Sequence, residues 1–298
     1  MTTNKPASLH DSMKNISSAK KKMNKKIISY SLYGTQKHYR SGALLNVKLQ
    51  KKIYPDWICR FYVSDEIPNE FIAQLKNLGA EVVNISHKYP NMGLYWRFLA
   101  IDDLDVAVMI VRDTDSLLSF REKEAVDEWL KSKKGFHIMR DHPLHKVPIL
   151  GGMWGVQKNV LPSMFLLLKQ WKCTYKKGED QEFLMYKVYP LIQDNLCIHA
   201  EYIRFMGEST LPFPSPRVGT DFVGSVKTNP FAKPFENELT LEFLKKPLQT
   251  KRFCFRTLFL ILFYRVALTF GYKCFAQTHG NSFFKKTKSK IRQKRGAL

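Results

Sequence analysis

The stretch from Val106 to Ser116 constrains the fold of this chain more than any other part of its sequence. Six apolar residues, four of them β-branched, are followed by Arg112 and then by Asp113 and Asp115. An uninterrupted apolar run of this length predicts a strand that is buried on both faces of a parallel sheet. The two aspartates would then leave the strand at its carboxyl end, which is the edge where open α/β sheets bind their ligands.

The two aspartates form an Asp-x-Asp pair that predicts a cation site. In an extended segment, residues two positions apart point to the same side, so the side chains of Asp113 and Asp115 would be neighbours. Neighbouring carboxylates repel each other unless a positive charge lies between them. Mg²⁺ or Mn²⁺ supplies that charge and takes its other ligands from water and phosphate oxygens. The same pattern also occurs as a solvated turn or a helix cap, and the sequence alone leaves that alternative open.

Strand-like and helix-like patterns alternate along the chain from residue 27 onward. The predicted strands cover residues 27–33, 57–64, 81–86, 106–111, 136–140 and 195–202, and the predicted helices cover residues 42–53, 68–78, 92–102, 121–132, 160–171 and 179–189. Alternation at this spacing is typical of βαβ units. The sequence therefore predicts an α/β fold with a mainly parallel central sheet flanked by helices.

The formal net charge of +22 is concentrated at the two ends of the chain. Residues 1–26 carry seven Lys and one Asp, residues 245–298 carry fourteen Lys or Arg and no acidic residue, and residues 27–244 carry 27 basic and 25 acidic residues. We therefore expect a disordered basic tail over 1–26, a catalytic domain over 27–244 and a helical, basic extension over 245–298. Because the body is nearly neutral, no specific nucleic acid is expected as a partner.

The cysteines and the amino-terminal residues indicate the compartment. Five scattered cysteines without a C-x-x-C pair argue against a disulfide framework or a structural zinc site, and they favour a reducing compartment. Residues 1–26 are polar and lack the apolar segment of a signal peptide. The expected location is therefore cytoplasmic.

The carboxyl-terminal extension contains an apolar, aromatic stretch at residues 252–275 that three basic residues interrupt. Its longest run without a charge, residues 257–264, is far shorter than the ~20 residues that span a bilayer. Such a segment predicts an interfacial helix with its apolar side among lipid headgroups. The basic cluster at residues 285–295 would add attraction to anionic lipids on the inner face of a membrane. A helix packed on the domain is the alternative.

Several short motifs follow one another in a characteristic order. They are Tyr33-Gly34 after the first strand, Arg97 in Tyr-Trp-Arg-Phe, Arg-Asp-Thr-Asp at residues 112–115, Gly151-Gly152-Met153, Asp180-Gln181 and His199. This order resembles metal-dependent glycosyltransferases of the GT-A type, above all the glycogenin-like and bacterial lipopolysaccharide galactosyltransferases. The resemblance covers about residues 27–223. It implies a GT-A (Rossmann-like) fold and transfer of a sugar from a nucleotide-diphosphate donor, most of all a UDP-sugar, to a glycan or glycolipid hydroxyl.

The resemblance also implies a role for individual residues. Asp113 and Asp115 would hold Mn²⁺ or Mg²⁺ on the donor diphosphate, with His199 as a further metal ligand. Asp180 and Gln181 would face the transferred sugar near its anomeric centre and act as the catalytic residues. The residues implied to contact the donor are Tyr33, Gly34, Arg97, Asp113, Gly151 and Gly152.

Other interpretations of the same residues remain open. A nucleotidyltransferase or another metal-dependent phosphate enzyme could use the same aspartates. A non-enzymatic protein could use the basic ends to bind nucleic acid or a membrane. Among single residues, Arg97 could pair with Asp102 or Asp103, the two glycines could form a plain turn, and His199 could be a hydrogen-bonded histidine at a strand end.

Overall fold

The computed structural model describes residues 25–174, 176–226, 245 and 247–269. Its elements in chain order are β1 (Lys25–Leu32), α1 (Lys37–Ile53), β2 (Ile58–Val63), α2 (Asn69–Asn77), β3 (Glu81–Asn84), α3 (Gly93–Trp96), a 3₁₀ turn (Leu99–Asp102), β4 (Val106–Val111), α4 (Phe120–Lys131), β5 (Phe136–Arg140), β6 (Trp154–Gln157), α5 (Met164–Lys169), α6 (Glu179–Phe183), a π-helical turn (Leu184–Val188), α7 (Tyr189–Ile192), β7 (Leu196–Ala200), β8 (Ile203–Phe205), β9 (Gln249–Lys251) and α8 (Phe255–Thr269).

Seven of these strands form one central sheet in the order β3-β2-β1-β4-β6-β5-β7. The pairs between β1, β2, β3 and β4 are parallel, as is the pair between β5 and β7. Only β6 among these seven strands runs the other way, antiparallel to both β4 and β5. The carboxyl ends of the six parallel strands therefore lie at one edge together with the start of β6. The predicted fold class, a mainly parallel sheet flanked by helices, is confirmed.

Helices cover both faces of the sheet and bury a core on each. One core contains residues of α1, α2 and α4, represented by Val47, Leu75 and Trp129. The other contains residues that follow α3, together with parts of α6 and α8, represented by Phe98, Phe183 and Ile261. The uninterrupted apolar run of β4 lies between the two cores and lacks an alternating polar pattern, whereas β1 carries Ser29 and Ser31 between apolar residues.

The bounds of most strands agree closely with the pattern of the sequence, but α1 begins at Lys37 rather than at residue 42, and β6 lies in a segment for which no strand was predicted. β4 and β5 have the predicted bounds. β1 begins two residues before the predicted start because Lys25 is anchored by Glu81 and Asp105, each with an oxygen 2.8 Å from Nζ. The helix predicted over 92–102 is interrupted at Arg97, whose backbone N–H donates to Ser31 Oγ at 3.0 Å instead of continuing the helix.

The described part of the carboxyl-terminal extension packs on the body. β9 pairs with β8, and α8 buries Ile261 in the core. Lys187 Nζ donates to Tyr264 Oη at 2.7 Å, and Arg265 Nη1 donates to Gln193 Oε1 at 2.7 Å. Within the described ranges, no helix combines the length and the hydrophobicity that crossing a bilayer requires. Of the basic tail predicted over residues 1–26, Lys25 and Lys26 belong to β1, and residues 1–24 lie outside the described residues, as does the basic cluster at 285–295.

Candidate functional site

Three side chains that are distant in sequence meet at the carboxyl edge of the sheet. Arg97, at the break between α3 and the 3₁₀ turn, forms an ion pair through Nη1 with Oδ1 of Asp113, which directly follows β4 and Arg112. Its Nη2 lies 3.0 Å from Oδ2 of Asp180, in the first turn of α6. The side chains of Arg97 and Asp180 are 8% and 6% exposed, whereas that of Asp113 is 47% exposed. One guanidinium therefore bridges a buried carboxylate and one that faces solvent.

The charges in this cluster perturb one another. Burial disfavours the charged form of Arg97, but the charges of Asp113 and Asp180 outweigh it and raise the guanidinium pKa. Burial raises the pKa of Asp180, and the opposing effect of Arg97 is smaller. Burial, followed by the charge of Asp113, raises the pKa of Asp115. Carboxyl groups with pKa values shifted by burial and charged partners are typical of functional sites.

Gly151 and Gly152 lie against the two carboxylates of this cluster. A Cβ atom on Gly151 would lie 2.2 Å from Asp180 Oδ2, and a Cβ atom on Gly152 would lie 2.1 Å from Asp113 Oδ2. Both distances are shorter than van der Waals contact, so any side chain at these positions would displace a carboxylate. The glycines are therefore required by close approach, which is more than a plain turn demands.

Tyr33 and Gly34 border the same cluster. The Tyr33 ring contacts Trp96 edge to face, with centroids 6.0 Å apart, and is partly exposed. The ring also packs closely against Gly93, where a Cβ atom would lie 2.7 Å from Tyr33 Cδ1. Gly34 has a positive φ of 78°, and its N–H donates to Glu66 Oε2 at 2.8 Å. Tyr33 therefore lies next to the residue that precedes Arg97, whereas Gly34 binds Glu66.

Helix α1 fixes the loop that carries the aspartates through a residue that our sequence analysis did not single out. Buried Asn46 donates from Nδ2 to Thr114 O at 3.2 Å and to Ser116 O at 3.1 Å, and its Oδ1 accepts from Leu118 N at 3.0 Å. Gly42 allows this approach, since a Cβ atom there would lie 2.1 Å from Thr114 O. The available signal was a polar residue within the apolar stripe of a helix.

Gln181 and the two alternative partners predicted for Arg97 have other contacts. Gln181 is half-buried in the first turn of α6, and its backbone N–H donates to Gly178 O at 3.2 Å. Asp102 and Asp103 do not pair with Arg97, because Asp102 accepts from Met164 N at 2.7 Å and Asp103 binds Arg60.

His199 is not brought to the aspartates. It lies fully buried on β7, three strand positions or about 14 Å across the sheet from β4. Among the described residues, its Nδ1 lies 2.9 Å from His137 Nε2, and its Nε2 lies 3.2 Å from Glu128 Oε2. Both ring nitrogens thus have partners other than Asp113 and Asp115. The prediction that His199 completes the metal site of the aspartates finds no support in this placement.

The donor set at the Asp-x-Asp pair fits a hard divalent cation. Asp113 and Asp115 offer carboxylate oxygens at the solvent-accessible edge, which is the ligand type that Mg²⁺ and Mn²⁺ prefer. Two carboxylates leave several coordination positions for water and for phosphate oxygens. Gly152 lies so close to Asp113 Oδ2 that a side chain at position 152 would not fit beside this carboxylate oxygen. These residues are therefore the ones that would hold such an ion.

Asn46 provides a direct test of how the aspartate loop is positioned. We expect Asn46→Ala to lower the free energy of unfolding by about 2–3 kcal/mol, because three buried backbone groups would lose their hydrogen-bond partner. We also expect weaker Mn²⁺ binding by calorimetry. The control is Asn84→Ala, which removes an amide from an exposed site. Unchanged unfolding and Mn²⁺ affinity in Asn46→Ala would contradict the positioning role.

Comparison with known proteins gives a likeness at the level of the fold. No protein-family model and no curated protein matches the chain. Matching solved structures include the galactosyltransferase LgtC in complex with donor and acceptor sugar analogues, with 13% identity, a TM-score of 0.41 and coverage of 79% of this chain and 95% of that one. They also include a glycosyltransferase involved in glycosylation of the major capsid of PBCV-1, with 14% identity, a TM-score of 0.37 and coverage of 61% and 84%.

A third match is glucosyl-3-phosphoglycerate synthase from Mycobacterium tuberculosis in complex with Mn²⁺ and UDP-glucose. It has 14% identity, a TM-score of 0.38 and coverage of 66% of this chain and 74% of that one. Glycosyltransferases are thus among the matching structures, and they are the class that the motif order resembles. A likeness of this size concerns the general arrangement of strands and helices, so the reaction of this chain has to be inferred from its own residues.

Proposed function

We propose that this protein is a metal-dependent glycosyltransferase that moves a sugar from a nucleotide-diphosphate donor, most of all a UDP-sugar, to a glycan or glycolipid hydroxyl. The observation that carries the proposal is the cluster of Asp113, Arg97 and Asp180 against two glycines at the carboxyl edge of the sheet. That edge is where open α/β sheets bind ligands.

Each part of the cluster has a role in such a transfer. Mn²⁺ or Mg²⁺ held by Asp113 and Asp115 would stabilise the negative charge of the departing nucleoside diphosphate by several kcal/mol. Arg97 Nε is buried without a hydrogen-bond partner among the described residues, and its charged guanidinium can donate to a diphosphate or a sugar hydroxyl. Asp180 can hold a sugar hydroxyl or stabilise positive charge at the anomeric carbon, with Gln181 beside it.

The remaining residues complete the donor site. The partly exposed Tyr33 ring offers a surface on which the nucleotide base can pack, next to Gly34. Gly151 and Gly152 present backbone without side chains beside the two carboxylates, so a sugar can approach closely.

A binding and turnover experiment tests the proposal. We expect UDP-sugars to raise the melting temperature in the presence of Mn²⁺ but much less in its absence, since a ligand that binds only the folded state stabilises it. Release of free UDP from the same donors would establish cleavage at the sugar. Release of pyrophosphate from a nucleoside triphosphate, without UDP release from any sugar donor, would instead favour a nucleotidyltransferase. The neutral body gives no support to a nucleic-acid-binding role.

We further propose that α8 places the enzyme on the cytoplasmic face of an anionic membrane. The helix is apolar on its solvent-facing side as well as on the side that packs against the body. A helix that is apolar on all sides is normally buried on all sides, in protein or in a membrane. The exposed apolar side chains are Phe255, Leu258, Phe259, Leu262 and Val266. Residues 245–298 carry fourteen basic residues and no acidic one, so the partner that complements both properties is a surface of anionic lipid.

Vesicle binding tests this membrane role. We expect the double variant Phe259→Ser/Leu262→Ser to bind phosphatidylglycerol vesicles at least about tenfold more weakly in sedimentation, because burying half of each side chain is worth roughly 1 kcal/mol. Phe120→Ser, which removes an exposed aromatic ring from α4, is the matched control. The membrane role would be excluded if the Phe259→Ser/Leu262→Ser and Phe120→Ser variants bound phosphatidylglycerol vesicles equally well. It would also be excluded if the native protein bound neutral phosphatidylcholine vesicles as well as phosphatidylglycerol vesicles.

A further inference from the structure

Three side chains with metal-binding atoms meet between the sheet and α4, away from the aspartate pair. In the pairing of β5 with β7, His137 lies opposite Cys197, and His199 follows two residues later on β7. Residues two positions apart on a strand point to the same face, so all three side chains are directed toward α4. Their potential ligand atoms lie within 4.8 Å of one another, and all three residues are buried. A Cys-x-His pair on one strand and a His on the next thus form a compact N₂S set.

The two imidazole rings are held in fixed orientations. Glu128 on α4 places Oε2 3.2 Å from Nε2 of His199, which turns Nδ1 of the same ring toward the cluster. Histidine ligands of metals commonly donate their second nitrogen to a carboxylate in this way. Trp129 stacks on the His137 ring with centroids 5.2 Å apart and an interplanar angle of 15°.

The two imidazoles contact each other through one nitrogen of each ring, and the second nitrogens differ in their surroundings. His137 Nδ1 is buried and has no hydrogen-bond partner among the described residues. His137 Nε2 and His199 Nδ1 are 2.9 Å apart. Two nitrogens bound to one tetrahedral Zn²⁺ are about 3.3 Å apart, given Zn–N bonds of about 2.0 Å. Binding an ion would therefore separate these two nitrogens by a few tenths of an ångström and turn both rings toward a common point, where the Cys197 sulfur would also have to lie.

We propose that His137, Cys197 and His199 bind one Zn²⁺ ion at a site separate from the aspartate pair. A thiolate with two imidazoles favours Zn²⁺ over the hard cations Mg²⁺ and Mn²⁺, which prefer oxygen ligands. Binding converts the Cys197 thiol to a thiolate and releases one proton to solvent. Cys197 lines a cavity of about 660 Å³ at β7, the last strand of the sheet, together with Ser132 and Lys134 at the end of α4. The ion would tie β5 to β7.

Cobalt substitution tests the site in the full-length protein. Metal-free protein titrated with Co²⁺ alone is expected to bind one ion with a sulfur-to-cobalt charge-transfer band in the near ultraviolet, and Zn²⁺ is expected to displace it. An oxygen-only site at the aspartates cannot give that band, so Asp113→Asn/Asp115→Asn should retain it. Cys197→Ser should lose it, and Zn²⁺ binding measured by calorimetry should fall by one equivalent.

The control is Cys59→Ser, because Cys59 is also a buried cysteine in the same core but lies outside the cluster. It should keep both the band and the zinc stoichiometry. Should Cys197→Ser fail to fold, His199→Gln provides the second variant, with loss of one zinc equivalent as the expected result. Absence of the charge-transfer band from Co²⁺-loaded native protein, or a zinc stoichiometry that Cys197→Ser leaves unchanged, would overturn the proposal.

Discussion

Replacing Asp113 and Asp115 together by asparagine is expected to lower the rate of Mn²⁺-dependent UDP release by at least about 10³-fold. Asparagine keeps the size of each side chain but removes the charges that hold the cation. Loss of a single well-placed electrostatic group typically lowers the turnover number about 10²–10³-fold, and this variant removes the ion that stabilises the leaving group. The measurement is UDP release from UDP-sugars over a range of Mn²⁺ concentrations, together with the melting temperature of the variant.

The matched control for this pair is Asp127→Asn. Asp127 is a partly exposed carboxylate on α4 that pairs with Lys123, so its loss should leave turnover within about twofold of the native rate. A native rate in the Asp113→Asn/Asp115→Asn variant, with the same dependence on Mn²⁺, would exclude the aspartates as the metal site. It would also remove the basis of the proposed enzymatic function, while the zinc proposal would remain to be decided by its own spectroscopic test.

Replacing Arg112 by methionine is expected to lower the free energy of unfolding by about 3–5 kcal/mol, because it leaves a charged partner buried and unpaired. Arg112 Nε lies 3.0 Å from Glu122 Oε1, and the two side chains are only 2% and 1% exposed. Nη1 of Arg112 also donates to Val111 O at 2.7 Å, at the end of the strand before the aspartates. Urea unfolding of native and variant protein measures the effect.

A double variant at Arg112 and Glu122 distinguishes the cost of removing both charges from the cost of leaving one charge without its partner. Glu122 also accepts a hydrogen bond from Tyr54 Oη at 3.1 Å, but a neutral hydroxyl does not compensate the charge of the carboxylate when Arg112 is removed. We expect Arg112→Met/Glu122→Met to be less destabilised than the sum of the two single variants, since neither charge is then left alone. Strict additivity of the single effects would contradict the role of this pair as a coupled, buried anchor.

Local patterns in the sequence predicted most of the fold. The bounds of β4 follow directly from an apolar run between Asp105 and Arg112, and the mainly parallel arrangement follows from alternation of strands with helices. The motif order also indicated which distant residues meet, and the structure places Arg97, Asp113 and Asp180 in contact. These features could be predicted because each depends on local periodicity or on an ordered set of motifs.

The features that the sequence did not predict depend on contacts between distant segments. The break at Arg97 arises from a hydrogen bond to Ser31, which no local pattern encodes. Asn46 stands out in the sequence only as a polar residue within the apolar stripe of a helix, and its hydrogen bonds to the aspartate loop identify its role. The position of His199 depends on strand order, because β6 and β5 lie between β4 and β7.

The reversed direction of β6 has a consequence for how this scaffold can diversify. Because β5 ends and β6 begins at the same edge, the connection over residues 141–153 stays at that edge and places Gly151 and Gly152 against Asp180 and Asp113. Insertions or deletions at its exposed part, around Leu144 and Lys146, would leave the strand register intact, since surface loops tolerate changes in length at small entropic cost. We expect related chains that differ in their acceptor to differ here first, with the glycines that end the connection kept.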